Sequence, residues 1–251
     1  MSEDLEIRKR RLEKLEFLES QGINPYAYSF NKKHNAEEIK EKFSKLKKEE
    51  KTKNRVVLAG RVITSRVMGK LAFLTLKDET EKIQIYGSKD STKNYNLFKK
   101  IDTGDFVGVH GTIFKTKAGE LTINVQKFEL LSKSLRPLPS KWYGLKDEEI
   151  KYRKRYLDIL SNREIMDLFI KKQKFWNTIR TFLIEKKFLE VETPILENSS
   201  GGASATPFKT HHNALDIELF LRISMGELWQ KKLLVAGYEK TFEIGRQFRN
   251  E

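Results

Sequence analysis

The sequence contains no cysteine among its 251 residues. That excludes disulfide frameworks, thiolate zinc sites and cysteine nucleophiles, and it fits a reducing, cytoplasmic setting. No apolar run approaches about 18 residues, so neither a transmembrane helix nor a membrane partner is expected. The opening MSEDLEIRKRRLEK lacks the apolar centre of a signal peptide. The pattern GxxxxGKS/T is missing throughout, which argues against nucleotide binding of the Walker type. Acid is scarce relative to base: 35 Asp and Glu stand against 49 Lys and Arg, a net charge of +14. Such a balance points to a polyanionic partner, most simply nucleic acid; the other reading is a lysine-rich, solvated surface. Residues 55–136 carry 15 basic and 8 acidic side chains, half of the whole excess. Charged residues make up 33% and hydrophobic ones 38%. That is a globular mix too charged for one large apolar core, and the length suits one or two domains.

Residues 1–20 have helical periodicity, with Leu5, Leu12, Leu15 and Leu18 mostly on one face. Gly22 and Pro25 end the helix. A second helix is predicted from Ala36 to Glu50 on the stripe Ile39, Phe43, Leu46; it either touches RNA or packs on a neighbour. From Arg55 the period becomes that of strands. RVVLAGRVIT, KLAFLTLKD and KIQIYGS precede a helix-like piece over residues 93–101, then DFVGVHGTIFKT and ELTINVQKFELL. Three strands, a helix and two strands in about 80 residues is the layout of a five-stranded Greek-key barrel, the OB fold; an unrelated small barrel is the alternative. LRPLPSKWYG reads as a linker. A long helix follows over 163–187, then a strand FLEVETPIL broken by Pro194, a Gly/Ser loop, a strand FLRIS, a helix MGELWQKKLLVAG and a strand YEKTFEIGRQFRNE. The division expected is a helical extension over 1–54, a barrel over 55–135, a linker over 136–150 and a further domain over 151–251.

Four blocks occur in order: RVMGKLAFLTLKDETEKIQIY in the barrel, RYLDIL after the linker, FLEVETPIL, and FRNE at the end. With the intervening GGASATPFKTHHNALD, they make the chain resemble class II lysyl-tRNA synthetase, from its N-terminal extension to the opening of motif 2. The class I signatures HIGH and KMSKS do not occur. The fold implied is α+β: a helical extension, an anticodon-binding OB barrel, and an incomplete class II catalytic domain with an antiparallel sheet. The activity implied is ATP-dependent conversion of lysine to lysyl-adenylate and its transfer to tRNA(Lys). ATP is a substrate, with magnesium on its phosphates, and the partners are tRNA(Lys) and L-lysine. Motif 1 implies a homodimer.

In the barrel block, Ala72, Leu74 and Leu76 alternate with Leu71, Phe73 and Thr75, so one set faces inward. Ala-Leu-Leu makes the better core face; Phe73 then points outward, the alternative being Phe73 in the core. The resemblance implies that Phe73 stacks an anticodon base while Arg66 and Gln84 read its edge, and barrel lysines would track phosphates. It gives Pro194 a place at the dimer interface, and a proline belongs at a strand edge or bulge in any case. Glu190 and Glu192 alternate on a strand and read as an interface or solvated face. Gly202 lets backbone approach a ligand, and with Glu227 it is implied to bind lysine, Glu227 pairing the substrate ammonium in a partly desolvated pocket. The alternative for Glu227 is a helix-start charge favoured by the dipole. Here the family's shorter Ala-Pro-Glu-Leu run is replaced by Ser224-Met225-Gly226-Glu227-Leu228. Arg249 is implied to bridge the lysine carboxylate and the ATP α-phosphate as the catalytic group, and Glu251 to hold the ATP base. Adjacent His211 and His212 point to opposite strand faces, and no metal ligand is assigned.

The chain ends inside motif 2, so a truncated, split or incomplete synthetase inactive alone is expected, with a separate chain carrying the C-terminal half as a possible partner. Two other readings are a non-catalytic RNA-binding module and an aspartyl- or asparaginyl-type synthetase, against which the GGASATPFKTHHNALD loop argues.

Overall fold

A computed structural model describes residues 3–139, 147–199, 201–202 and 204–251. The chain forms two compact units, Met1–Tyr152 and Arg153–Glu251. Residues 140–146 of the expected linker lie outside the described residues.

In the first unit, α1 spans Glu3–Ser20. Gly22 ends it as expected: the Ile23 N–H bonds to the Leu18 carbonyl (3.0 Å) and the Gly22 N–H to that of Glu19 (2.9 Å), closing the last turn. The leucine stripe is not alone in holding the helix: Leu18 joins the hydrophobic core, and polar contacts add to it. Leu5 is half exposed while Leu18 and Arg11 are buried. The Arg11 guanidinium donates to the carbonyls of Thr103 (2.9 Å), Ser134 (3.2 Å) and Arg136 (2.9 Å), and Lys14 pairs with Asp102 at 2.6 Å. Three loose carbonyls at the barrel end make an arginine worth burying.

The second helix is shorter than its periodicity suggested: α2 spans Ala36–Lys42. Ala36, Ile39 and Phe43 are buried, so this element packs on its neighbours. Past Phe43 the chain turns, and Glu49 takes φ 63°. The Glu49 N–H bonds to the Lys115 carbonyl and the Lys115 N–H to the Glu50 carbonyl, both at 3.0 Å. Sheet pairing wins over helix propagation, and the first strand starts at Lys51, four residues before Arg55.

The barrel comprises β1 (Lys51–Met68), β2 (Leu71–Lys77), β3 (Lys82–Ser88), the four-residue α3 (Tyr95–Phe98), β4 (Phe106–Lys115) and β5 (Leu121–Ser132). The strands close in the order β1-β2-β3-β5-β4, β4 pairing back onto β1. All pairs are antiparallel except β3 with β5. This is the five-stranded barrel the sequence predicts. Inward positions recur with period two: Leu58, Ala72, Leu74, Leu76, Ile83, Ile85 and Ile113 are all at most 1% exposed.

Asp78, on the β2–β3 turn, ties this barrel to α2. Its side chain, 3% exposed, accepts from the backbone N–H groups of Ala36, Thr80 and Glu81 and from the Thr80 hydroxyl (2.7–3.0 Å) and pairs with Lys32 at 3.1 Å. Burial pushes the carboxyl up, but those donors outweigh it and hold the pKa at about 2 instead of 3.8. A folded pKa below the unfolded one gives stability that is complete above pH 4 and is lost as pH falls from about 4 toward 2. Asp78→Ala is expected to cost roughly 2–3 kcal/mol at neutral pH and to remove most of that acid dependence; urea melts at pH 7 and pH 3 measure both.

The second unit follows α4 (Glu148–Arg153) and contains α5 (Arg155–Ser161), α6 (Arg163–Glu185), β6 (Leu189–Glu190), β7 (Leu196–Glu197), β8 (Lys209–His212), β9 (Ile217–Leu221), α7 (Glu227–Val235) and β10 (Thr241–Phe242). Asn162 caps α6 by accepting from the Glu164 N–H at 3.0 Å. Strands β7-β9-β8 form an antiparallel sheet as expected, whereas β10 and β6 pair in parallel. The long strand expected over YEKTFEIGRQFRNE is only the two residues of β10; beyond it Phe248 and Asn250 donate single bonds to Arg222 and Thr206. The strand expected as FLRIS starts earlier, at Ile217, and ends at Leu221, because Arg222 turns into a buried polar network. Among the described residues of this unit, only Leu219, Ile223 and Phe242 are buried apolar side chains, while Leu168, Phe169, Phe175, Trp176 and Phe182 of α6 are 40–59% exposed. Among the described residues no helix is long and apolar enough to cross a membrane.

Candidate functional site

On the barrel, the pairing registers bring the expected residues together. Arg66 lies opposite Phe73, and Phe73 opposite Tyr86. Gln84 is flanked by Thr75 on β2 and Thr122 on β5. Because Ala72 and Leu74 are fully inside, alternation puts Phe73 on the outer face. The core alternative for Phe73 is thereby overturned. The ring is half-buried because Tyr86 packs on it, with centroids 5.0 Å apart, and Phe114 follows at 5.8 Å from Tyr86. Lys51 pairs across from Phe114, and Arg66, Lys51 and Lys53 are exposed. The face therefore offers an aromatic row, a guanidinium, a carboxamide and lysines. Tyr86 and Phe114 were missed in the sequence, although each directly follows a core position, Ile85 and Ile113, on its strand.

In the second unit, Gly202 has φ 93°, and a Cβ there would collide with the Ser224 hydroxyl and lie 3.6 Å from a Glu227 carboxylate oxygen. Gly202, Ser224 and Glu227 thus form one cluster. Gly226 absorbs the extra residue of the 224–226 connection by taking φ 51° at the N-cap of α7, where a Cβ would run into Thr193. Glu227 is not in a desolvated pocket. Its side chain is 57% exposed and pairs with Lys231 one turn along α7 at 2.9 Å, because it opens a surface helix. The Nε of Arg249 donates to the Ile223 carbonyl at 3.4 Å, one residue from Ser224, and Glu251 is exposed. Pro194 lies outside the ladders between β6 and β7, exposed beside Ile195 and Leu196. Glu190 is engaged by the Arg180 guanidinium at 2.8 Å, and His211 and His212 contact their own hairpin turn at Asp216 (3.2 Å) and Leu215 (3.2 Å).

Beneath this cluster runs a network the sequence did not reveal. Arg222, 2% exposed, pairs with Glu243 at 2.6 Å. It also donates to the Thr193 carbonyl (3.2 Å) and hydroxyl (3.0 Å) and to the Arg246 carbonyl (2.8 Å). The Thr193 hydroxyl donates to Glu243 at 2.7 Å. Burial raises the Glu243 carboxyl, yet the bonds from Thr193 and Arg222 prevail and hold it below the ordinary glutamate value. The available signal was a charged residue inside each of two apolar runs, FLRIS and TFEI.

Two family models match stretches of the sequence. Residues 56–131 match an OB-fold nucleic acid binding domain, and residues 147–251 match the class II tRNA synthetases of the D, K and N group. The chain is 49% identical to the lysine–tRNA ligase of Fervidobacterium nodosum over 98% of its own length and 48% of the relative's. It is 50% identical to that of Halalkalibacterium halodurans over 100% and 51%, and 48% identical to that of Lactococcus lactis over 97% and 50%. Along its whole length the chain is similar to these lysine–tRNA ligases, and it spans about half the length of the curated relatives it matches.

Proposed function

We propose that the chain acts as part of a lysine–tRNA ligase, its barrel holding the tRNA(Lys) anticodon and its second unit contributing to lysine activation. In that reaction a lysine carboxylate oxygen attacks the α-phosphorus of ATP. The new O–P bond gives lysyl-adenylate and pyrophosphate leaves; a terminal ribose hydroxyl of tRNA then attacks the lysyl carbonyl carbon, forming the ester and releasing AMP. Arg249 is proposed to hold the carboxylate and phosphate together, where a rigid guanidinium offsets the growing negative charge, and Glu251 to contact the base. Gly202 and Glu227 are proposed to receive the substrate ammonium, for which Glu227 must exchange Lys231 for the ligand. Magnesium is proposed to enter with the ATP phosphates; among the described residues no three acidic or histidine side chains converge to hold a metal, and no step runs through it. The exposed apolar surface of α6 favours a cover, either a second copy around Pro194 or the polypeptide corresponding to the rest of the relatives' length. The setting proposed is the cytoplasm.

The observation that carries the reading is Phe73 on the outer barrel face beside Arg66 and Gln84. Stacking of one base on such a ring is worth about 1–3 kcal/mol. Phe73→Ala in the 251-residue chain is expected to weaken binding of a tRNA(Lys) anticodon stem-loop roughly 5- to 150-fold, with affinity falling as salt rises. Equal binding by wild type and variant would sink the assignment. The barrel's own buried core favours a second reading, an RNA-binding module that works without the second unit; binding unchanged by deletion of 153–251 is its signature.

A further inference from the structure

We infer that the open edge of β5 around Lys127, Phe128 and Glu129 is a docking slot for an extended segment of another protein chain, of the pattern basic–apolar–acidic. On one side β5 pairs with β4 along its whole length, but on the other it pairs with β3 only through Thr122, Ile123 and Asn124. Past that pairing the Lys93 N–H closes on the Gln126 carbonyl at 2.9 Å. At the far end of the strand the stretch after α1 does the same. The Ala27 N–H donates to the Leu131 carbonyl (2.9 Å), the Lys133 N–H donates to the Pro25 carbonyl (3.1 Å), and Tyr26 bridges antiparallel to Ser132. Between these two plugs the edge is open. Backbone groups alternate sides along a strand, so the N–H and C=O of Glu129 face the same way as those of Leu131 and Lys133; they have no partner among the described residues. The edge opens onto a recess of about 450 Å³ with Ile23, Leu97, Phe128 and Leu130 as its apolar floor and Asn94 and Glu129 on its rim. Phe73, Tyr86 and Phe114 do not line it, so it is no part of the aromatic face.

The occupant follows from the edge. Residues 25–27 already show the binding mode: an extended stretch lies antiparallel on β5 and then leaves at Tyr28, whose side chain is 100% exposed. A ligand that continues this ladder must offer amide donors and acceptors in a row, which an extended peptide does. At roughly 3.3 Å per residue, positions 127–130 give it about 13 Å of strand. Side chains set the pattern. Lys127 and Glu129 are exposed and Phe128 is half-buried. In antiparallel register, the ligand residue opposite Phe128 turns its side chain onto the apolar floor. The residue before it stands opposite Glu129 and the residue after it opposite Lys127. Among the described residues neither Lys127 nor Glu129 has an ion-pair partner. Charge complementarity therefore asks for Lys or Arg, then an apolar residue, then Asp or Glu, in that order.

The test uses the full chain and two end-blocked pentapeptides, Thr-Lys-Val-Glu-Thr and its charge-reversed form Thr-Glu-Val-Lys-Thr, titrated by amide NMR. The first is expected to bind, to protect the Glu129 N–H from exchange, and to bind about three- to tenfold more tightly than the second, the size of two exposed cross-strand charge pairs. The double variant Lys127→Glu, Glu129→Lys changes exposed side chains only, keeps the thermal midpoint, and is expected to reverse the preference by the same factor. Binding of neither peptide by wild type overturns the inference. So does equal binding of both, or a preference that survives the charge exchange. Two other occupants have signatures of their own, and either one also overturns it. Glu129 protection that rises with chain concentration alone means a second copy in the slot, and protection given by the anticodon stem-loop in place of the peptide means RNA.

Discussion

Replacing Arg222 by methionine is expected to cost the second unit about 3–5 kcal/mol, the range found when one member of a buried ion pair is removed. The loss comes from what remains. Glu243 would keep its charge in a site where Arg222 now lies 2.6 Å away, and the carbonyls of Thr193 and Arg246 would each lose a donor. The unit has little apolar burial to absorb this, since Leu219, Ile223 and Phe242 are its buried apolar residues among those described. Hydrogen exchange read residue by residue is the suitable measurement. Protection should collapse around β6, β7, β9 and β10 and stay unchanged in the barrel. Arg222→Met combined with Glu243→Gln should recover part of the loss, because the orphaned charge is gone. Wild-type protection in the single variant would show that the network is ornamental.

Phe98→Ala is expected to cost the barrel about 3–5 kcal/mol. The ring is 0% exposed, meets Phe128 edge-on at 5.1 Å, and is carried into the core by α3. Gly87 on β3 lies directly under it, and a Cβ there would enter the ring. Gly87→Ala alone should therefore cost about 1–3 kcal/mol by overpacking. In the Phe98→Ala background the same change should cost under about 1 kcal/mol, because the added methyl enters the space the ring left. Denaturant unfolding of the four proteins closes the cycle, and strict additivity would contradict the packing described.

The barrel was legible because its signal is local. Period-two alternation in LAFLTLK and KIQIYGS sets which side is wet, so Leu74 inside and Phe73 outside followed from neighbours in sequence. Element ends were less legible for the opposite reason. The Ala36 helix had the apolar spacing to continue, and its end at Lys42 is set by Lys115, a residue more than seventy positions away. The resemblance to lysine–tRNA ligases was written in the order of four blocks, and no tertiary information was needed to read it.

What only the tertiary structure decided were polar contacts between residues far apart in the chain. Arg11 looks like any exposed helix cation until three carbonyls from 103, 134 and 136 converge on it. Arg222 and Glu243 look like surface charges until the fold buries them together. Conversely, Glu227 was placed by its motif in a desolvated pocket, and the chain as folded leaves it in water beside Lys231. Hydrophobic burial is roughly proportional to area and non-directional, so pattern alone forecasts it. A hydrogen bond depends on a few tenths of an ångström and on its partner, which sequence order does not supply.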